Sequence, residues 1–252
     1  MCFIVGNSSF NNSQIGFNFS KKAQQYPKYS QIQQQTSHKL HFLVQKYLST
    51  QLLQANKVLD AGSGTSIIGK TWQFNNSSQI FEVDFSSEML ASWQDRPKNF
   101  FPVLADIYHL PFNTNYFDFI ISSFALQWLN HNALMSLNKV LKHNGLLAVA
   151  LPNNNSLQNL QNIIKVNQLP NHEWFLQQLA NCGFEIIHHS WQNFCQSFLS
   201  LKEALHYFKN IGANTKATQH NNFSHLIKQK NFWQQQANLD WQVSFFLAKK
   251  IS

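Results

Sequence analysis

The chain reads as an α/β protein built on a doubly wound sheet, and three observations carry that reading. Apolar strand-like runs alternate with amphipathic helical stretches along most of the 252 residues, the pattern of parallel strands joined by helical crossovers. Three of the runs, Val58-Leu59-Asp60, Ile80 to Asp84 and Phe100 to Asp106, end at or beside an aspartate. The first passes straight into Ala61-Gly62-Ser63-Gly64-Thr65-Ser66. Glycines in such a turn accept unusual φ angles and leave bare backbone for a ligand to approach.

Taken in order, residues 1–16 are polar and Asn/Ser-rich and are expected to be loose. From Phe17 to about Leu53 the pattern is mostly helical. Leu40, Leu43, Val44, Tyr47 and Leu48 recur at three- and four-residue steps, one face of an amphipathic helix. Phe19 to Tyr26 fits a shorter helix lying over the glycine turn. A strand over 57–61, a helix near 64–72 and a strand over 79–84 follow. Ser86 reads as the N-cap of a helix over 86–94, with Glu88 in its first turn. A strand at 101–105 leads through a loop containing Pro111 to a fourth, Phe117 to Ser123. A helix at about 131–142 and the break at Gly145 precede a fifth strand, Leu146 to Leu151. A helix at 172–182 ends at Gly183 as its C-terminal cap. Phe184 to His188 makes the sixth strand and Trp241 to Leu247 the seventh. Between these two, residues of about 198–236 are aromatic and amphipathic and read as a helical lid. With no internal repeat and no linker, one domain is expected over 1–252. It comprises N-terminal helices (17–54), a core (55–195), the lid insertion (196–237) and a final strand (238–252).

Composition bounds the function. At 44% hydrophobic and 14% aromatic, with 23 Phe, the chain has ample material for a core, which excludes wholesale disorder. The formal charge of +8 favours an acidic partner; nucleic acid, anionic lipid and an acidic carrier protein all qualify, and so does a merely solvated basic surface. Arg96 is the only arginine. Bidentate capture of a carboxylate or phosphate therefore rests on Arg96, or else on backbone amides, Lys, His and hydroxyls. Cys2, Cys182 and Cys195 show no CxxC spacing and no histidine cluster, so free thiols and no metal site are expected. The opening residues lack a basic region before a short apolar run, and no apolar stretch is long enough to span a bilayer. A cytoplasmic protein is expected.

The candidate site gathers at the strand ends. Asp60, Gly62, Ser63 and Gly64 offer open backbone and a carboxylate. Asp84 stands where nucleotide-binding folds place the carboxylate that grips ribose hydroxyls. Singly, each aspartate also fits a turn or helix cap. Together with the spacing FxxxAxxY (Phe19, Ala23, Tyr26), the run Asp84-Phe85-Ser86-Ser87-Glu88-Met89-Leu90 and Leu110-Pro111-Phe112 leading to Phe117-Asp118, they resemble the class I S-adenosylmethionine-dependent methyltransferases. Two further pieces narrow the resemblance to the malonyl-acyl carrier protein O-methyltransferases of biotin synthesis. They are Ser122-Ser123-Phe124-Ala125-Leu126-Gln127-Trp128 and Phe208-Lys209-Asn210-Ile211-Gly212-Ala213. The resemblance covers about 17–250.

It implies a Rossmann-like seven-stranded sheet whose last strand is antiparallel, with the lid between strands six and seven. It implies S-adenosylmethionine as cofactor, with S-adenosylhomocysteine as product. Asp106 is placed near the adenine amino group, with Ile107 and Phe85 as apolar walls and Phe124 in the cofactor set. Where the family carries a third glycine this chain has Ser66, which is expected to cap the following helix. The acceptor implied is a malonyl carboxylate on an acidic acyl carrier protein, or on coenzyme A, already ionised near neutral pH and needing no general base. Tyr26, Ser123, Gln127 and Trp128 are the candidates for positioning it; Trp128 also fits a core ring, and Tyr26 a helix-packing ring. Arg96 falls on the wrong side of the cofactor half, and His109, His131, His188 and His189 read as surface or packing residues. A monomer without nucleic-acid or membrane partners is expected. A quinone-type small-molecule C- or O-methyltransferase is the alternative, and an RNA methyltransferase or a non-catalytic binding module a third reading.

Overall fold

β-Branched and aromatic runs bounded by turn residues become strands when both faces are covered, and here both are. In a computed structural model, residues 26–158, 168–210 and 236–251 are described. The strands are β1 (Lys57–Ala61), β2 (Gln79–Asp84), β3 (Phe100–Leu104), β4 (Phe117–Ser123), β5 (Leu141–Pro152), β6 (Phe184–Phe198) and β7 (Ala237–Lys250). They form one sheet in the order β3-β2-β1-β4-β5-β7-β6. Neighbours among β1 to β5 are parallel, whereas β7 runs antiparallel to both β5 and β6. The strand order reverses between β1 and β4, the point at which open α/β sheets part their loops and leave a crevice.

Around the sheet lie α1 (Tyr26–Tyr29), α2 (Gln31–Gln54), α3 (Ile67–Thr71), α4 (Ser87–Ala91), α5 (His131–Val140), α6 (His172–Asn181) and α7 (Leu201–Asn210). Successive strand residues serve opposite faces. Val58, Phe119, Ile121 and Phe245 join the core under α2, α3 and α7, while Leu59, Ile120 and Phe246 join the core under α5 and α6. The result is a three-layer α/β/α arrangement. Among the described residues no helix is long and apolar enough to cross a membrane.

On α2, Leu40, Leu43, Val44 and Leu48 are buried as the periodicity predicts. Tyr47 is not: it is 38% exposed and stacks on His188 with ring centroids 4.3 Å apart. The buried stripe also includes the polar Gln33, Thr36 and Ser37. Ser37 Oγ lies 2.8 Å from Thr71 Oγ1, and the Trp72 indole N–H donates to Ser37 O. These bonds pin the N-terminal half of α2 onto α3.

Other elements differ in extent from their sequence patterns. α3 starts only at Ile67 because Ser66 is left-handed (φ 62). α4 stops at Ala91, where Ser92 Oγ turns back to Met89 O at 2.7 Å. β5 begins at Leu141, with a bulge where Phe117 pairs Leu141 but Phe119 pairs Leu146; Gly145 falls inside it. β6 continues to Phe198, past the expected core limit at 195, as an edge strand whose burial alternates residue by residue. Within the proposed lid, α7 is described, and Leu201, Ala204 and Tyr207 bury their side chains. Residues 1–25, which hold most of the segment expected to lie over the glycine turn, and 211–235, which hold Ile211 to Ala213 and most of the expected lid, lie outside the described residues.

Candidate active site

The chain leaves β1 at Asp60 and Ala61 and turns through Gly62 (φ 78), Gly64 (φ 54) and Ser66 (φ 62). The N–H groups of Gly62 and Ser63 both donate to Val83 O, at 2.8 and 3.0 Å, so the turn is hung on the end of β2. Ser122 Oγ donates to Ala61 O at 2.8 Å, tying β4 to the same point. Glycine is required at 62 for two reasons. The φ is left-handed, and an added Cβ would fall 2.3 Å from Ala125 Cβ. At Gly64 an added Cβ would meet nothing within 4 Å. The first glycine serves packing; the second faces open space.

That space is an open cleft at the strand ends, the place where α/β sheets of this order bind ligands. Of the sequence-predicted residues, Asp60, Gly62, Ser63, Gly64, Asp84, Phe85, Asp106, Ile107, Ser123, Phe124 and Trp128 all line it. Gln127 does not: it is buried, and its carboxamide turns away to donate to Phe124 O at 2.8 Å. That bond holds Phe124 in the left-handed region (φ 56), a conformation that costs a non-glycine residue about 1–2 kcal/mol. Gln127 thus props the wall. Tyr26 opens α1, but its side chain lies outside what is described. Gln33, Thr65, Met89, Ala125 and Leu129 also line the cleft and were not foreseen. Met89 follows from the α4 cap, which aims it inward, whereas Gln33 carries no signal in a glutamine-rich helix.

The polar chemistry of the cleft is acidic. Asp84 lies on its floor with Oδ2 accepting from Gly64 N–H at 2.8 Å and Oδ1 from Ser86 N–H at 2.9 Å. Both oxygens keep a lone pair for a further donor. Burial lifts its pKa to about 6, against the backbone N–H bonds that pull it down. Asp60 is 1% exposed, and its Oδ2 has no hydrogen-bond partner. Burial, then Glu82, then Asp84 push its pKa well above the carboxylate range. Asp106 accepts from Tyr108 N–H at 3.0 Å, capping the turn Ile107–His109. Among the described residues no lysine, arginine or histidine lines the cleft. Ser123 Oγ and Trp128 Nε1 are buried there without partners. Ser86 caps α4 as foreseen, its Oγ accepting from Met89 N–H at 3.2 Å. Ser66 makes no such cap; its hydroxyl meets Arg96 instead.

A pH dependence follows from Asp84. Its folded-state pKa of about 6 exceeds its ordinary 3.8, so between those values the folded chain holds a proton that the unfolded chain has released. Stability from this group is therefore present at the acid end and is lost as pH rises through the window, by about 3 kcal/mol at most. Ligand hydroxyls donating to Asp84 favour its charged form, so binding near pH 6 should release a proton and tighten between pH 5 and 7. Titration calorimetry in buffers of different ionisation enthalpy measures this, and Asp84→Asn should remove its share.

A ligand that suits this cleft carries positive charge for the aspartates, hydroxyl donors for Asp84, and a flat apolar part for Phe85, Ile107 and Met89. Residues 59–149 match a family model described as a methyltransferase domain. Over 238 residues the chain is 28% identical to a malonyl-[acyl-carrier protein] O-methyltransferase from Buchnera aphidicola subsp. Baizongia pistaciae, covering 91% of each chain. It is 27% identical to one from Herminiimonas arsenicoxydans, covering 79% of this chain and 77% of that one. A ubiquinone/menaquinone biosynthesis C-methyltransferase from Neisseria meningitidis is 33% identical, but over 43% of this chain and 46% of its own. Among solved structures, a Bacillus halodurans protein solved as a methyltransferase superposes with a TM-score of 0.59 at 15% identity, over 83% of this chain and 99% of that one. Geranyl diphosphate C-methyltransferase from Streptomyces coelicolor A3(2), solved with S-adenosyl-L-homocysteine, gives 0.53 at 14% identity, over 84% and 80%. Motifs, strand order and an acidic cleft at the switch point agree with these likenesses: residues 59–149 match a methyltransferase domain, and over most of its length the chain is similar to S-adenosylmethionine-dependent methyltransferases.

Proposed function

We propose that this enzyme methylates the free carboxylate of a malonyl thioester, carried on an acidic acyl carrier protein, giving the methyl ester that primes pimeloyl synthesis for biotin. The observation that carries the reading is the pairing of two unpartnered donors, Ser123 Oγ and Trp128 Nε1, in a cleft whose described lining has no basic side chain. The likeness to malonyl-carrier methyltransferases across nine-tenths of the chain supports the same acceptor.

When bound, S-adenosylmethionine supplies a methyl on a sulfonium; transfer to a carboxylate oxygen forms a C–O bond, breaks the S–C bond and leaves a neutral thioether. The chain's share is binding, alignment and exclusion of water. Asp60 to Gly64 offer backbone and a carboxylate to the amino-acid half of the donor. Asp84 accepts from the ribose hydroxyls, and Asp106, Ile107 and Phe85 bracket the base. On the acceptor side, Ser123 and Trp128 orient the carboxylate by neutral hydrogen bonds. A guanidinium there would hold the anion more tightly and blunt its attack; neutral donors align it at less cost in nucleophilicity. Phe124, resting on Trp241 with centroids 6.1 Å apart, walls off water. Since opposite charges cancel as the bond forms, excluding water from the reacting groups lowers the barrier. The net charge of +8 favours an acidic carrier in a cytoplasmic setting, bound by a monomer.

The test is transfer of labelled methyl from S-adenosylmethionine to malonyl-acyl carrier protein, beside malonyl-coenzyme A and a demethylated quinol. Base-labile label on the malonyl carrier is expected, with Asp84→Ala silent. Label on the quinol with the malonyl carrier untouched sinks the proposal in favour of the C-methyltransferase reading. Rescue of a biotin auxotroph by the wild-type chain alone is the corresponding result in cells.

A further inference from the structure

Gln33 is the one buried glutamine of the run Gln31 to Gln35. Gln31 is exposed and accepts from Gln196 Nε2 at 2.9 Å, Gln34 donates to Ser30 Oγ at 3.2 Å, and Gln35 is exposed. Gln33 is only 5% exposed, lines the cleft, and its Oε1 has no hydrogen-bond partner. A buried amide left unsatisfied is costly, and the adjacent Ile32, 1% exposed, shows what the helix uses where only packing matters.

Its place in the cleft is fixed by the bonds one helical turn further along. Ser37 is joined to Thr71 and Trp72 at the end of α3. Gln33, one turn back along α2, therefore faces the start of α3, and it shares the cleft with Thr65, Ile67 and Ile68 there. Asp84, Phe85, Asp106 and Ile107 mark the nucleoside end. Gln33 lines the cleft together with Thr65, Ile67 and Ile68, which follow the glycine turn in the chain.

We propose that Gln33 clamps the α-amino-acid head of the methyl donor. A carboxamide offers an acceptor and a donor side by side, the complement of an ammonium beside a carboxylate. The unpartnered Oε1 accepts a hydrogen bond from the ammonium, and Nε2 donates one to the carboxylate in a cleft whose described lining has no cationic side chain to hold it. This assignment needs only the donor, so it stands or falls separately from the malonyl reading.

The experiment is calorimetry on the full chain with S-adenosylhomocysteine and with 5′-methylthioadenosine, which lacks the amino-acid head. In Gln33→Leu, affinity for S-adenosylhomocysteine should fall roughly ten- to a hundred-fold, the loss expected for a hydrogen bond to a charged group. Affinity for methylthioadenosine should be unchanged, which also shows that the variant is folded. Gln33→Asn, too short to reach, should show the same split. Equal loss for both ligands means a packing role and overturns the proposal. Unchanged affinity for both, with a raised KM for the acceptor alone, assigns the amide to the acceptor carboxylate and overturns it too.

Discussion

Gly62→Ala is expected to destabilise the fold by about 2–5 kcal/mol and to abolish measurable methyl transfer, whereas Gly64→Ala is expected to lose donor binding at much lower cost in stability. The difference rests on what surrounds each position. At 62 the new methyl would lie 2.3 Å from Ala125 Cβ and 3.7 Å from Ile107 Cδ1, with φ at +78. The left-handed backbone costs a non-glycine residue about 1–2 kcal/mol, and forcing apart two packed loops adds about 1–3 kcal/mol. Ala125 cannot yield without moving Ser123, Phe124 and Trp128, so the acceptor side is displaced with it. At 64 the φ is +54 but the methyl enters empty space. The strain remains, about 1–2 kcal/mol, and the methyl stands in the room a ligand needs. Denaturant unfolding and S-adenosylhomocysteine titration on both variants separate the two roles. Equal stability loss at both positions would show that clearance above Gly64 is not reserved for the ligand.

Those two glycines were legible in the sequence as a pair but not as different devices, because only the contact of Gly62 with Ala125, far along the chain, tells them apart. The same limit runs through the rest of the site. The strand ends at Asp60, Asp84 and Asp106 were readable because an apolar run closed by a carboxylate is a local pattern. The Ser86 cap was readable for the same reason, one hydroxyl and a first-turn glutamate in a window of three residues. Gln33 was hidden because its neighbours Gln31, Gln34 and Gln35 look identical until Ser37 packs on Thr71. That Gln127 does not line the cleft was not readable either, because its sequence position beside Trp128 says nothing of which way its amide turns. Asp118, part of the family-like Phe117-Asp118 pair, accepts from the N–H groups of Asn56 and Lys57 at the start of β1, at the sheet end away from the cleft. The length of β6 was missed because beyond Ile187 its pattern is the polar alternation of an edge strand, without the continuous apolar run that marked the central strands.

Arg96→Leu is expected to cost about 3–5 kcal/mol, the loss typical of stranding one member of a buried ion pair. The chain's single arginine is a bolt beneath the cleft. Its Nε donates to Glu82 Oε2 at 2.6 Å, Nη1 to Trp93 O at 3.1 Å, and Nη2 to Leu90 O at 2.7 Å and to Ser66 Oγ at 3.4 Å. The fork thereby joins β2, the end of α4 and the left-handed residue that stands where related turns carry glycine. Glu82 is fully buried; burial pushes its pKa up and Arg96 pulls it back. Arg96→Lys keeps a charge but cannot span four acceptors, so it should lose part of the stability and weaken donor binding through Ser66. Arg96→Leu combined with Glu82→Leu should recover much of the single-variant loss, because no buried charge is then unpaired. The sign with pH is fixed as well. Without Arg96 the raised pKa of Glu82 rises further, so the folded chain keeps a proton that the unfolded chain gives up above the ordinary glutamate range. Arg96→Leu should therefore regain stability as pH falls and lose it as pH rises, relative to the wild type. A denaturant-based double-mutant cycle at pH 5 and pH 8 measures all of this. A coupling near zero at both pH values would mean that the bolt holds nothing.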